Sequence, residues 1–263
     1  MVDSLSQTSY SLGQRIADTR IVVQKYGGTS VATPRSRQLV CSRIQAAKAC
    51  GYSVLAVISA MGRKGAPYAT DTLLSLLDGT VANARERDML FSCGEIIAGV
   101  TITAQLQTRG CSAVFLTGRQ AGIVTDSSFG EAEILDLDPK CVSDHLNAGR
   151  IVVVAGSQGA TSAGEITSLG RGGSDITACA LGVALEAERI EIYTDVAGIM
   201  TADPHLVPEA KLLPEISYRD CLRMASEGAK VMHPKAVAIA AKRPHTSLWV
   251  GSTYGDSLGT VVR

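Results

Sequence analysis

Short runs of β-branched and aliphatic residues alternate with longer stretches of helical spacing along this chain of 263 residues. The runs Ile21–Val23, Val54–Ile58, Ala113–Leu116, Ile151–Ala155, Ile190–Tyr193 and Leu248–Val250 predict six strands. Ile151-Val152-Val153-Val154 is apolar without alternation, as a strand covered on both faces should be. Thr33-Pro34 reads as a helix start, after which Val40, Ile44 and Ala47 keep one helical face. A long helix is predicted over Glu86–Gln107, another from near Pro139 to Gly149, and one from Pro234 to about Ala241. Thr70-Asp71 suits the cap of a helix Thr72–Leu77, and Ser174 or Asp175 the cap of the apolar run Ile176–Leu185. The alternation argues for an α/β fold with a mostly parallel sheet. Residues 1–20, rich in Ser, Thr and Gln and without an apolar core, read as a flexible N-terminal tail rather than a secretory leader. Residues 21–263 contain no repeat and no dividing linker, so they read as one domain.

Composition narrows the partners. Lys and Arg number 25 and so do Asp and Glu, so no overall field favours nucleic acid or an acidic membrane surface. No uninterrupted apolar stretch approaches the ~20 residues of a spanning helix. Seven scattered cysteines without a Cys-x-x-Cys pair read as reduced, buried thiols of a cytoplasmic protein. The four histidines form no ligand pattern, so no metal site is predicted.

The candidate chemistry lies where strands end. Leu169-Gly170-Arg171-Gly172-Gly173-Ser174-Asp175 combines bare amides, a guanidinium and a helix start, which together attract an anion. Lys25-Tyr26-Gly27-Gly28-Thr29-Ser30 follows the first strand and repeats the combination with a lysine. Two cationic, glycine-rich turns suggest two anions held face to face, although Gly-Gly is also a common turn. Neither is a Walker loop, a Rossmann fingerprint or a protein-kinase signature. Ser59-Ala60-Met61-Gly62 follows the second strand, where small residues permit close backbone approach or simply turn the chain. Ser92-Cys93-Gly94-Glu95 sets a carboxylate within an apolar helical pattern, either on a solvated face or as an anchor for an ammonium group. Tyr193 to Pro204 starts at a strand end and is either a nucleotide loop or an exposed one; Lys230 is either a surface lysine or a phosphate ligand.

Taken in order, Lys25-Tyr26-Gly27-Gly28-Thr29-Ser30-Val31, Ser59-Ala60-Met61-Gly62, Ser92-Cys93-Gly94-Glu95, Leu169 to Asp175, Thr194-Asp195 and Thr201-Ala202-Asp203-Pro204 resemble aspartate kinases. The resemblance runs over roughly Ile21 to Val262 and implies an α/β three-layer sandwich of the amino-acid-kinase kind. Its N-terminal half would bind the amino acid and its C-terminal half ATP, with Mg²⁺ accompanying the nucleotide. It implies that Lys25, Asp175 and Lys230 serve the phosphoryl transfer, the two lysines on phosphates and Asp175 orienting them. For the amino acid it implies Arg171 on a carboxylate and Glu95 on the ammonium, helped by Thr70, Ser168, Gly172, Gly173 and Ser174. For ATP it implies Lys25, Tyr26, Gly27, Gly28, Ser59, Thr194, Asp195, Met200, Asp203, Pro204 and Lys230. The expected substrates are L-aspartate and ATP, with no nucleic acid or membrane. Any homo-oligomer would have to form through the kinase domain itself.

Three departures qualify the resemblance. Family members typically continue into regulatory ACT modules, whereas this chain stops at Arg263, so feedback by that route is expected to be absent. Gly156-Ser157-Gln158-Gly159 stands where Gly-Phe-Gln-Gly is usual, which would enlarge or wet the amino-acid pocket. Asp203-Pro204-His205 replaces the usual Asp-Pro-Arg, which would weaken a phosphate contact.

Overall fold

Continuous apolar strands need cover on both faces, and the chain supplies it with helices packed on each side of one sheet. The computed structural model describes residues 20–202, 207, 209–227, 232–243, 245–255 and 258–263. All six expected strands are present within an eight-stranded sheet: β1 (Ile21–Tyr26), β2 (Ser53–Ile58), β3 (Ala113–Leu116), β6 (Ile151–Ala155), β9 (Arg189–Thr194) and β11 (Ser247–Ser252). Two short strands, β10 (Glu215–Ile216) and β12 (Thr260–Val262), finish one edge, giving the order β10-β12-β11-β9-β1-β2-β6-β3. Every pairing in it is parallel except β11 with β12.

Side-chain alternation divides the core in two. Ile21, Val23, Leu55, Val57, Ile190 and Ile192 point to one face, where they meet α5 (Lys140–Asn147), α6 (Gly173–Ala184), α7 (Tyr218–Ser226) and α8 (Pro234–Ala240). Val22, Tyr26, Val54, Ala56 and Ile58 point to the other, covered by α2 (Pro34–Ala49) and α4 (Ala84–Thr108). The result is a three-layer α/β sandwich. By length and composition α4 could cross a bilayer, yet here it lies along the sheet with Ala98, Ile102 and Leu106 buried.

A second, four-stranded sheet was not foreseen. Strands β4 (Ile123–Thr125), β5 (Ile134–Leu137), β7 (Gln158–Ala160) and β8 (Ile166–Ser168) pair in the order β5-β4-β7-β8 beside the main sheet. Each is three or four residues long, too short for a periodic signal.

Two expected caps are corrected. Ser174 and Asp175 lie inside the first turn of α6, whose N-cap is Gly172 at φ 68°, a left-handed conformation that favours glycine. Thr70 and Asp71 open α3 (Thr70–Leu74) behind Ala69 rather than capping a later helix. The Thr33 cap is as expected, with a reciprocal box to Ser36 and Pro34 at the first helical position. The cysteines are less uniformly buried than composition suggested: Cys41, Cys179 and Cys221 are buried, Cys50 and Cys141 exposed, and all seven are free thiols.

Candidate active site

Chain direction fixes where a cleft can open. From β1 the chain crosses through α2 to β2 on one side; from β9 it crosses through α8 to β11 on the other. The carboxyl ends of β1 and β9 therefore diverge, and ligands of open α/β sheets gather at such a switch point. A cavity of about 320 Å³ opens beside that point, over the carboxyl ends of β1 and β2. Into it project the ends of β1 and β2, one face of α4, the turn after β6 and the start of α6.

Lys25 shares the face of β1 that meets α6, and its Nζ lies 2.7 Å from Oδ1 of Asp175 in the first turn of that helix. Both side chains are largely enclosed, so the ammonium is held in place rather than waving in solvent. Gly27 and Gly28 follow directly. A Cβ at Gly28 would fall 2.7 Å from the Ala60 carbonyl and 2.6 Å from that of Gly62, so the turns after β1 and β2 touch only because this residue is glycine. Arg171 lines the same cavity from the loop before α6, exposed and without an ion-pair partner among the described residues.

Glu95 is 2% exposed, and its Oε2 has no hydrogen-bond partner. Burial pushes its carboxyl up to about 8, against the smaller pull of the Glu95 and Ala60 amides. A solvated-face glutamate is thereby ruled out. A buried carboxyl with one oxygen unpartnered at a cavity wall is costly to ionise until a cation meets it.

Thr70, Ser59, Gly172, Gly173 and Ser174 also line the cavity. Ser59 donates to Ser174 across it at 2.8 Å. Ser168 stands behind the wall, accepting from the Gly170 amide at 3.1 Å, and so shapes the Arg171 loop from within. Tyr26 is placed differently from the others. Its ring is fully buried on the opposite face of the sheet, stacked on Tyr193 at 4.8 Å and donating to Gln24, so only its backbone adjoins the cleft. Thr194 ends β9 and Asp195 and Met200 follow it, outside the lining of the cavity, with Asp195 paired to Arg63 of the loop after β2. Asp203, Pro204, His205 and Lys230 lie outside the described residues.

Ser157, expected near the amino-acid pocket, lines the cavity, and so does Phe91, which the sequence did not single out. Asp88, 3% exposed, accepts from the amides of Gly130 (2.9 Å) and Ser168 (2.7 Å), tying β8 and the loop between β4 and β5 to α4. Burial raises its carboxyl and the two amides lower it. A signal did exist: Asp88 and Glu95 are two helical turns apart, two carboxylates on one face of an apolar helix. A larger hollow of about 480 Å³ lies near Arg119, Asp138 and His145, but its Lys140 is paired with Asp144 at 2.7 Å and no glycine-rich turn enters it. The candidate charged and glycine-rich groups gather at the smaller cavity.

Residues 20–249 match the model of the amino acid kinase family. This chain belongs to that family. As a family member it is 49% identical to aspartokinase 1 of Bacillus subtilis over 247 residues, 92% of this chain and 60% of the relative. It is 44% identical to the aspartokinase of Geobacillus stearothermophilus, again over 92% of this chain and 59% of the relative. It thus spans about three fifths of the curated relatives it matches. Among solved structures, the aspartate kinase of Synechocystis superposes with a TM-score of 0.78 at 44% identity, covering 92% of this chain and 40% of that one. The E. coli aspartokinase III complex with aspartate and ADP gives 0.78 at 28% identity, covering 92% and 64%.

Proposed function

We propose that this amino acid kinase chain transfers the γ-phosphoryl group of ATP to the side-chain carboxylate of L-aspartate, giving 4-phospho-L-aspartate. The observation that carries the reading is the meeting, in one cavity, of the Lys25–Asp175 pair, the bare Gly27–Gly28 turn, the unpaired Arg171 and the buried Glu95. The similarity to aspartokinases supports the same substrate pair.

The chemistry suits these groups. An aspartate carboxylate, with a reference pKa near 3.9, is already an ionised nucleophile at neutral pH, so no general base is needed. The obstacle is bringing it to a polyanion: two unit charges 4 Å apart repel by ~4 kcal/mol at an effective dielectric near 20. Lys25 and the Gly28 amide stabilise the moving phosphoryl group, the Gly27 amide already donating to the Tyr193 carbonyl at 3.3 Å, while Asp175 fixes where the ammonium sits. Arg171 clamps a carboxylate of the amino acid, and Glu95 ionises against its ammonium. Mg²⁺ enters with ATP as part of that substrate. The nucleotide lies against Thr194, Asp195 and Met200, and the amino acid lies toward α4. The site so assigned implies a cytoplasmic enzyme of amino-acid biosynthesis leading toward lysine, threonine and methionine.

A second acceptor, another acidic amino acid or analogue, is favoured by the small Ser157 at the cavity wall. ADP release measured across a panel of acidic amino acids separates the two. L-Aspartate giving the highest kcat/KM supports the reading; a better acceptor elsewhere in the panel replaces it.

A further inference from the structure

Among the described residues, two other than glycine hold a left-handed backbone, Ser157 at φ 60° and Glu186 at φ 53°. Glu186 follows the end of α6 on the surface, where helices commonly unwind in this way. Ser157 is different, being buried at the cavity wall just after β6. A side chain in that conformation is strained where glycine would not be. Its backbone is clamped from both sides, the amide donating to Thr177 Oγ1 at 3.1 Å and the carbonyl accepting from Leu169 at 2.8 Å. Its hydroxyl lies 3.0 Å from Ser174 Oγ, and Ser59 donates to that same oxygen at 2.8 Å. Hydroxyls from the end of β2 and the turn after β6 thus converge on one oxygen in the first turn of α6.

Ser174 has a single proton to give. With Ser59 donating to it, the direction of the Ser157–Ser174 bond decides where that proton goes. If Ser174 donates to Ser157, nothing is left for a ligand. If Ser157 donates, Ser174 accepts twice and its own proton turns into the cavity, sharpened by the two bonds behind it. A carboxylate there selects the second arrangement, because a donor on an ionised acceptor gains more than one on a hydroxyl.

We infer that Ser157 is a positioning residue for the amino acid, acting through Ser174 to aim a hydroxyl proton at a substrate carboxylate. The inference rests on the reading of the cavity as an amino-acid site. It explains why a strained side chain stands where glycine would fit the backbone.

Steady-state kinetics and thermal melts on four variants test it. Ser157→Gly removes the hydroxyl and the strain together. KM for L-aspartate should rise roughly ten-fold, the scale of a hydrogen bond to a charged group. KM for ATP should stay within about two-fold, and Tm should hold or rise by about a degree or two. Ser157→Ala should show the same KM with a lower Tm than the glycine variant. In a Ser174→Ala background, Ser157→Gly should change KM by less than about two-fold, since the relay is already cut. A packing role cannot produce a weaker acceptor KM together with an undiminished Tm. An unchanged KM for aspartate overturns the inference, as does an equal rise in both KM values with a falling Tm, or full additivity in the double variant. If the parent chain phosphorylates L-aspartate and the variants are silent, the relay alone falls. If the parent chain neither binds nor phosphorylates L-aspartate, relay and reading fall together.

Discussion

Glu95 carries the clearest consequence at the scale of a single residue. Its folded carboxyl titrates near 8 against an ordinary 4.5, so between those values the folded protein keeps a proton that the unfolded chain has released. Its contribution to stability therefore falls as pH rises from about 4.5 toward 8 and is level above that. Binding an ammonium ionises Glu95, so association of the amino acid releases a proton below pH 8. KM for L-aspartate is expected to fall with rising pH from 6 to 8, by at most about ten-fold per unit. Glu95→Gln should flatten that slope while raising KM, and a slope that survives the substitution would place the titrating group elsewhere. Arg171→Ala should raise KM for the amino acid at least about ten-fold and that for ATP much less. Equal effects on both would show that Arg171 binds the nucleotide instead. These residues were legible in the sequence because Lys25, Glu95 and Arg171 sit in short, ordered motifs. Asp88 left only its spacing from Glu95, and Ser157 only its departure from the usual aromatic; the backbone amides through which one acts and the dihedral angle that sets the other leave no pattern.

Elements were legible in proportion to their length. The six apolar strands and α2, with Thr33, Pro34 and Ser36 agreeing on its start, followed from pattern alone. Thr33→Ala should cost about 1 kcal/mol through the lost capping box, lowering Tm by about 2–4 °C in a chain of this size with kcat unchanged. A loss of activity matching the loss of stability would mean that α2 also steadies the site. The small sheet and the caps of α3 and α6 were misjudged for opposite reasons. The sheet is made of pieces too short to show a period. The start of α6 offered good capping residues that tertiary contacts used otherwise: Asp175 turns to Lys25 and Ser174 to the other hydroxyls, leaving glycine to begin the helix. Local propensity lost to the site at both positions.

Over the whole molecule, the candidate site is a crevice at the carboxyl ends of β1 and β2, beside the point from which β1 and β9 send the chain in opposite directions, and two glycine-rich turns reach into it. That crevice needs its walls to touch at Gly28. Gly28→Ala is expected to push the turn after β1 away from the Ala60 and Gly62 carbonyls, lowering kcat at least about ten-fold with the sheet intact by circular dichroism. Full activity would show that the two turns need not meet. The direct test of two anions meeting in this one cavity is to trap the product. With ATP, Mg²⁺ and L-aspartate, hydroxylamine should capture an aspartyl hydroxamate at the rate ADP appears, and Lys25→Ala should abolish both. ADP formed without hydroxamate, or hydroxamate formed undiminished by Lys25→Ala, would contradict a carboxylate acceptor held opposite that lysine.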